Sequence, residues 1–237
     1  NVLYITLEMA EERIAERIDA NLLDVTMEDL HDMPKQLYDG KIKKVREKTQ
    51  GQLIIKEYPT ASAHSGHFKS LINELALKKS FRPDVIFIDY LNICASARFK
   101  GGNISSYFYI KAIAEELRGL AVEHDVPIFS ATQTTRTGFV STDLGLEDTS
   151  ESFGLPATAD FMFALMSNEE LEQLGQMKVK QLKNRYNDPS VNRAFIIGVD
   201  RAKMRLYDVE QKAQNIVDSG QVAEKEDAYN KFSDFKL

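Results

Sequence analysis

Val85-Ile-Phe-Ile-Asp89 runs four apolar residues into a carboxylate, the pattern of a buried strand that surfaces on an acid. An acid at that point is placed to order the water shell of Mg²⁺ in a nucleoside triphosphatase, because Mg²⁺ prefers hard oxygen ligands and keeps several of its waters. The competing reading is an aspartate that only caps the loop after the strand. A second run, Val2-Leu-Tyr-Ile-Thr6, delivers Glu8 just beyond its end, where a carboxylate can polarise an attacking water. Glu8 would equally suit the first turn of a helix, where the macrodipole favours negative charge. The phosphate cradle that normally accompanies such acids, G-x-x-x-x-G-K-[ST], occurs nowhere among the 237 residues. The chain opens on Asn1 within a strand, so a strand and helix carrying that cradle are expected upstream.

The elements that must position these residues follow from periodicity. Strand-like runs at 2 to 6, 52 to 57, 84 to 89, 127 to 132 and 160 to 166 alternate with helical patterns, which predicts an α/β fold with a mostly parallel sheet. Helices are expected over Met9 to Leu23, with Ile14, Ile18 and Leu22 as the apolar stripe, and over Pro34 to Lys48. Phe68, Leu71, Ile72 and Leu75 mark another apolar face, and Tyr109, Ile113, Leu117 and Leu120 mark a long helix between Ser105 and Asp125. After Asp160 the runs shorten: Lys178 to Leu182, Asn192 to Val199 and Lys203 to Val209 predict antiparallel strands extending one edge of the sheet. Ser96 to Ser106 and Thr134 to Asp148 are long connections of the kind that usually carry function.

Composition narrows the class. With 43% apolar residues the chain can bury one substantial core, and no stretch approaches the length of a membrane span, so a soluble, cytoplasmic protein is expected. The lone Cys94 excludes an internal disulfide framework and reads as a small buried hydrophobe. A net charge of −6 and a pI near 5.4 argue against coating nucleic acid by bulk electrostatics and leave room for a narrow basic channel. His64 and His67 are spaced like a metal pair but have no cysteine or acid cluster beside them, and read as loop histidines.

Five segments in order, Thr6-Leu7-Glu8-Met9, Ile88-Asp89-Tyr90-Leu91, Ser130-Ala131-Thr132-Gln133, Glu151-Ser152 with Asp160, and Lys183-Asn184-Arg185, resemble the ATPase domain of DnaB-type hexameric replicative DNA helicases, the T-even bacteriophage branch above all. The resemblance implies a RecA-like P-loop NTPase core over residues 1–210 whose P-loop strand is missing, followed at 211–237 by a tail or partner-binding segment. It implies ATP and Mg²⁺ as cofactors, with Asp89 as the metal-ordering acid, Glu8 positioning the attacking water and Gln133 sensing the γ-phosphate. Lys183 and Arg185, which point the same way in an extended strand, would reach a neighbouring subunit's ATP; their bland alternative is a solvated strand edge. Arg98, Lys100, Arg136 and Thr137, on the two long loops, would contact single-stranded DNA, although surface loops carry such residues in any case.

Implied partners are single-stranded DNA, five further copies in a homo-hexamer, and a primase and a helicase loader, with no membrane. These 237 residues alone are expected to be inactive without a P-loop. In the family's strand order the missing strand lies between 127 to 132 and 160 to 166, so either those strands close on one another or another segment fills the space. The alternatives are a non-catalytic RecA-like oligomerisation or DNA-binding module, or a recombinase of the RecA family.

Overall fold

The computed structural model describes residues 1–99, 104–134, 145–146, 154–188 and 191–210. Lys100, Arg136, Thr137 and the Glu151-Ser152 pair, together with the 211–237 segment, lie outside the described residues. Four strands, β1 (Val2–Thr6), β2 (Leu53–Glu57), β3 (Val85–Asp89) and β4 (Ile128–Ser130), form a parallel sheet in the order β2-β1-β3-β4. Residues 3, 5, 86 and 88 alternate inward as Leu, Ile, Ile and Ile and are almost fully buried. They meet α4 (Ser65–Lys79), through Phe68, Leu71, Ile72 and Leu75, and α5 (Ser106–His124), through Ile110, Ile113, Ala114, Leu117 and Leu120. Both apolar stripes repeat at three and four residues, as one helix face requires. This is the main core.

The opposite face of the sheet carries Tyr4, Thr6, Phe87, Asp89 and Phe129, as the strand period of two dictates. Helix α1 (Glu11–Leu23) packs on it near β2, followed by α2 (Met27–His31) and α3 (Lys35–Lys48). Of the stripe expected on α1, Ile14 is buried, but Leu22 is half exposed and Ala20 takes the buried position near the helix end. His64 and His67 are not loop residues: the His64 ring accepts from Gly66 N, and His67 Nδ1 accepts from the His64 backbone N–H, so together they cap α4. Cys94 is buried as expected, and burial pushes its thiol up to about 12.

Beyond α5 the architecture departs from expectation. Following α6 (Gly154–Thr158), β5 (Phe161–Met166) pairs antiparallel with β6 (Gln176–Asn184); α7 (Glu169–Gln173) lies between them in sequence. With β7 (Ala194–Asp200) and β8 (Arg205–Asp208) these strands make a second sheet, ordered β5-β6-β7-β8, rather than an extension of the first. Among the described residues, β4 and β5 each form an outer edge; they do not pair with one another, and no other described strand pairs with either edge. Arg118 of α5 donates to Asp160 Oδ1 at 2.6 Å just before β5. On the other side the β7–β8 turn grips the end of α1, with Asn21 Nδ2 donating to Met204 O and with Lys203 and Arg205 on Asp24.

Candidate active site

Register decides which side chains meet. Thr6 of β1 lies opposite Asp89 of β3, and Ile88 lies opposite Ser130 of β4, so the carboxyl ends of three parallel strands form one rim. Crevices at such rims are where open α/β sheets bind ligands. Glu8, Asp89 and Gln133 all fall there.

The turn carrying Glu8 is held on every side. Thr6, fully buried, donates from Oγ1 to Met9 O at 2.8 Å and accepts from Met9 N at 3.1 Å, closing the chain around Glu8. Leu7 N donates to Asp89 O at 2.9 Å, and Thr60 Oγ1 donates to Leu7 O at 2.6 Å. Its backbone is fastened while the Glu8 side chain is exposed, with no hydrogen bond to any described residue. That combination suits a carboxylate that must present itself to a ligand.

Asp89 is half-buried, and its Oδ2 accepts from the Tyr4 hydroxyl at 2.9 Å. Burial first, then the hydrogen bond to Asp89 and its charge, pushes the Tyr4 phenol well above its ordinary range, so Tyr4 remains a donor. Gln133 Nε2 donates to the Tyr90 hydroxyl at 3.1 Å, tying the amide to the residue after Asp89. Asn92 Oδ1 and Thr132 Oγ1, on the segments after β3 and β4, are buried without a partner among the described residues.

The donor set at the rim fits Mg²⁺ bound mainly through water and phosphate. Among the described residues no group of three or more His, Cys, Asp or Glu side chains converges to cage an ion. A single carboxylate with one oxygen already engaged suits a metal that keeps most of its waters.

Lys183 and Arg185 sit apart from this rim. Lys183 Nζ donates to Pro156 O, and Arg185 donates to Asp160 Oδ1 and, at 3.1 Å, to Ala157 O. Both therefore point to the same side, as expected, and both rest on the carbonyl end of α6 within their own chain. Burial pushes the Asp160 carboxyl up, but the Arg118 and Arg185 guanidiniums outweigh it and hold Asp160 below the usual carboxylate range. Burial, followed by the neighbouring Arg185 charge, pushes the Lys183 amine down.

Of the four residues expected on DNA, Arg98 alone is described. It is exposed and paired with Glu115 at 2.5 Å. The start of its loop is pinned by Glu116, which accepts from Ser96 Oγ at 2.6 Å, Ala97 N at 2.8 Å and Ser65 Oγ at 3.0 Å.

The chain matches the family described as DnaB-like helicase C terminal domain over residues 1–191. It belongs to the DnaB-like helicases. It is 48% identical over 214 residues to the DnaB-like replicative helicase of Enterobacteria phage T4, a stretch covering 89% of this chain and 45% of that protein. A probable plasmid replicative DNA helicase of Chlamydia trachomatis is 34% identical over 137 residues, covering 56% of this chain and 28% of the relative. The chain thus spans less than half the length of these curated relatives. Among solved structures, the ATPase domain of G40P superposes with a TM-score of 0.71 over 88% of this chain and 74% of that one. A DnaB-like replicative helicase, described with its interactions with primase, gives 0.70 over 88% of this chain and 50% of that one. Both structures are 19% identical to the chain, and the likeness identifies the RecA-like fold.

Several partners in this DnaB-like domain were not anticipated from sequence: Tyr4 on Asp89, Tyr90 on Gln133, Glu116 under the Arg98 loop, and Arg118 on Asp160. Only Tyr4 left a signal. It occupies the non-core phase of β1, the same phase as the chemistry-bearing Asp89 on β3, and that becomes informative once the two strands are known to be neighbours.

Proposed function

We propose that the protein contributes the motor domain of a replicative DNA helicase that couples ATP hydrolysis to translocation on single-stranded DNA and duplex unwinding. The observation that carries this reading is the gathering of Glu8, Asp89 and Gln133 on one sheet rim. Asp89 would hold the hydrated metal through the oxygen that Tyr4 does not engage. Mg²⁺, when bound, neutralises charge developing on the phosphates. Glu8 orients and polarises the attacking water, and Gln133 reads the terminal phosphate and passes its state to the segment that follows. The cradle for the β- and γ-phosphates comes from residues outside these 237, which contain no such motif.

Lys183 and Arg185 leave the carbonyls of α6 to reach ATP held by the adjacent subunit of a homo-hexamer; an arginine supplied in this way contributes on the order of 10³ to 10⁵ in rate. Arg98, Lys100, Arg136 and Thr137 follow the DNA backbone, few charges per subunit sufficing because six copies share one strand. A primase and a loader are the partners this role calls for, within the cytoplasm of a bacterial host. Among the described residues no helix is long and apolar enough to cross a membrane.

The complete protein is expected to show Mg²⁺-dependent, DNA-stimulated ATPase activity and fork unwinding. Glu8→Gln should lower turnover about 10² to 10⁴-fold while nucleotide binding persists. The 237 residues alone are expected to turn over no ATP, and a robust rate from them that Glu8→Gln abolishes would refute that part. Nucleotide-independent DNA binding without turnover by the complete protein would instead point to the non-catalytic module.

A further inference from the structure

We infer that Tyr4 is a positioning residue for the metal-ordering acid: its hydroxyl fixes Asp89 Oδ2, so that the other carboxylate oxygen is presented to the hydrated cation in one orientation. The inference rests on the reading of Asp89 given above. A carboxylate offers two acceptor oxygens, and an aspartate at a strand end can rotate about two side-chain bonds. The 2.9 Å bond from Tyr4 removes that freedom.

The tyrosine is itself held. Its ring stacks on Phe87 with centroids 6.1 Å apart and planes 21° apart, and Phe87 stacks on Phe129 at 5.3 Å and 22°. This aromatic row crosses β1, β3 and β4 on the face away from the main core, and the Tyr4 hydroxyl reaches from the level of Phe87 to Asp89. Tyr4 donates and Asp89 accepts. A phenylalanine here would retain the stacking and lose only the bond. Hydrogen-bond partners behind a ligating carboxylate are worth about 10- to 100-fold in metal affinity.

The test uses the complete protein and a fluorescent, non-hydrolysable ATP analogue, titrated with Mg²⁺ and separately bound in EDTA. Tyr4→Phe is expected to raise the Mg²⁺ concentration for half-maximal binding about tenfold and to leave binding in EDTA unchanged. A side chain that serves packing alone would weaken both or neither, and either result overturns the inference. Asp89→Asn separates the two layers. If it leaves the Mg²⁺ dependence at the wild-type level, the reading of Asp89 falls and the role of Tyr4 falls with it; if it shifts the dependence while Tyr4→Phe does not, the role of Tyr4 falls alone.

Discussion

Thr6 shows how a single side chain can set the geometry of a neighbouring group. It is fully buried, yet both its donor and its acceptor are used on Met9, so the turn that presents Glu8 costs no unsatisfied polar atom. Thr6→Val keeps the shape and removes both bonds, leaving Met9 N without its acceptor. We expect a loss of about 1 to 3 kcal/mol, measured as a lowered urea midpoint at unchanged slope. Thr6→Ser, which retains the oxygen, should recover most of it. Thr6→Val should also lower ATP turnover in the complete protein more than nucleotide binding, because Glu8 loses its fixed base.

Helix α5 is the element that ties the separate regions together. Its apolar stripe packs on the parallel sheet, Glu116 pins the loop that bears Arg98, and Arg118 holds Asp160 beside Arg185. Gly154, opening α6, allows that short helix to approach closely: a β-carbon there would lie 2.9 Å from Lys111 Cβ. The Arg118–Asp160–Arg185 cluster also carries a pH signature. The Asp160 pKa is lowered in the folded state, so its contribution to stability is complete above the unfolded value near pH 4 and is lost as pH falls through the folded value. Thermal melts from pH 6 downward should therefore show wild type losing stability below about pH 4 more steeply than Asp160→Asn, with the variant the less stable of the two at pH 6.

At the scale of the molecule, β4 and β5 each present an edge that pairs with no other described strand. Phe129 at the β4 edge and Phe161, Phe163 and Leu165 on β5 are each about half exposed. Unpaired apolar strand edges template association. The 237 residues expressed alone are expected to self-associate in a concentration-dependent manner by analytical ultracentrifugation, and Phe163→Lys should shift the distribution toward monomer. A strictly monomeric species at micromolar concentration and above would contradict this.

The α/β class, the run of strands and helices through β4 apart from the short α2, and the acids at strand ends were legible in the chain because local periodicity encodes them. The apolar runs at 2 to 5 and 85 to 88 mark strands, and the stripe from Ile113 to Leu120 marks a helix, whatever they pack against. Glu8 and Asp89 were found in the same way, each just past an apolar run, whereas Gln133 stood out only through the family resemblance. Strand pairing is not local. That β5 joins β6 in a second sheet and that Lys183 and Arg185 rest on α6 depend on contacts between distant segments, which no window of sequence contains. The cap made by His64 and His67 is local, spanning three residues, and was missed because neither histidine is a usual capping residue. Tyr4 illustrates the limit: its alternation phase is written in five residues, but its partner lies 85 positions away and is brought within reach only when β1 and β3 align Thr6 with Asp89.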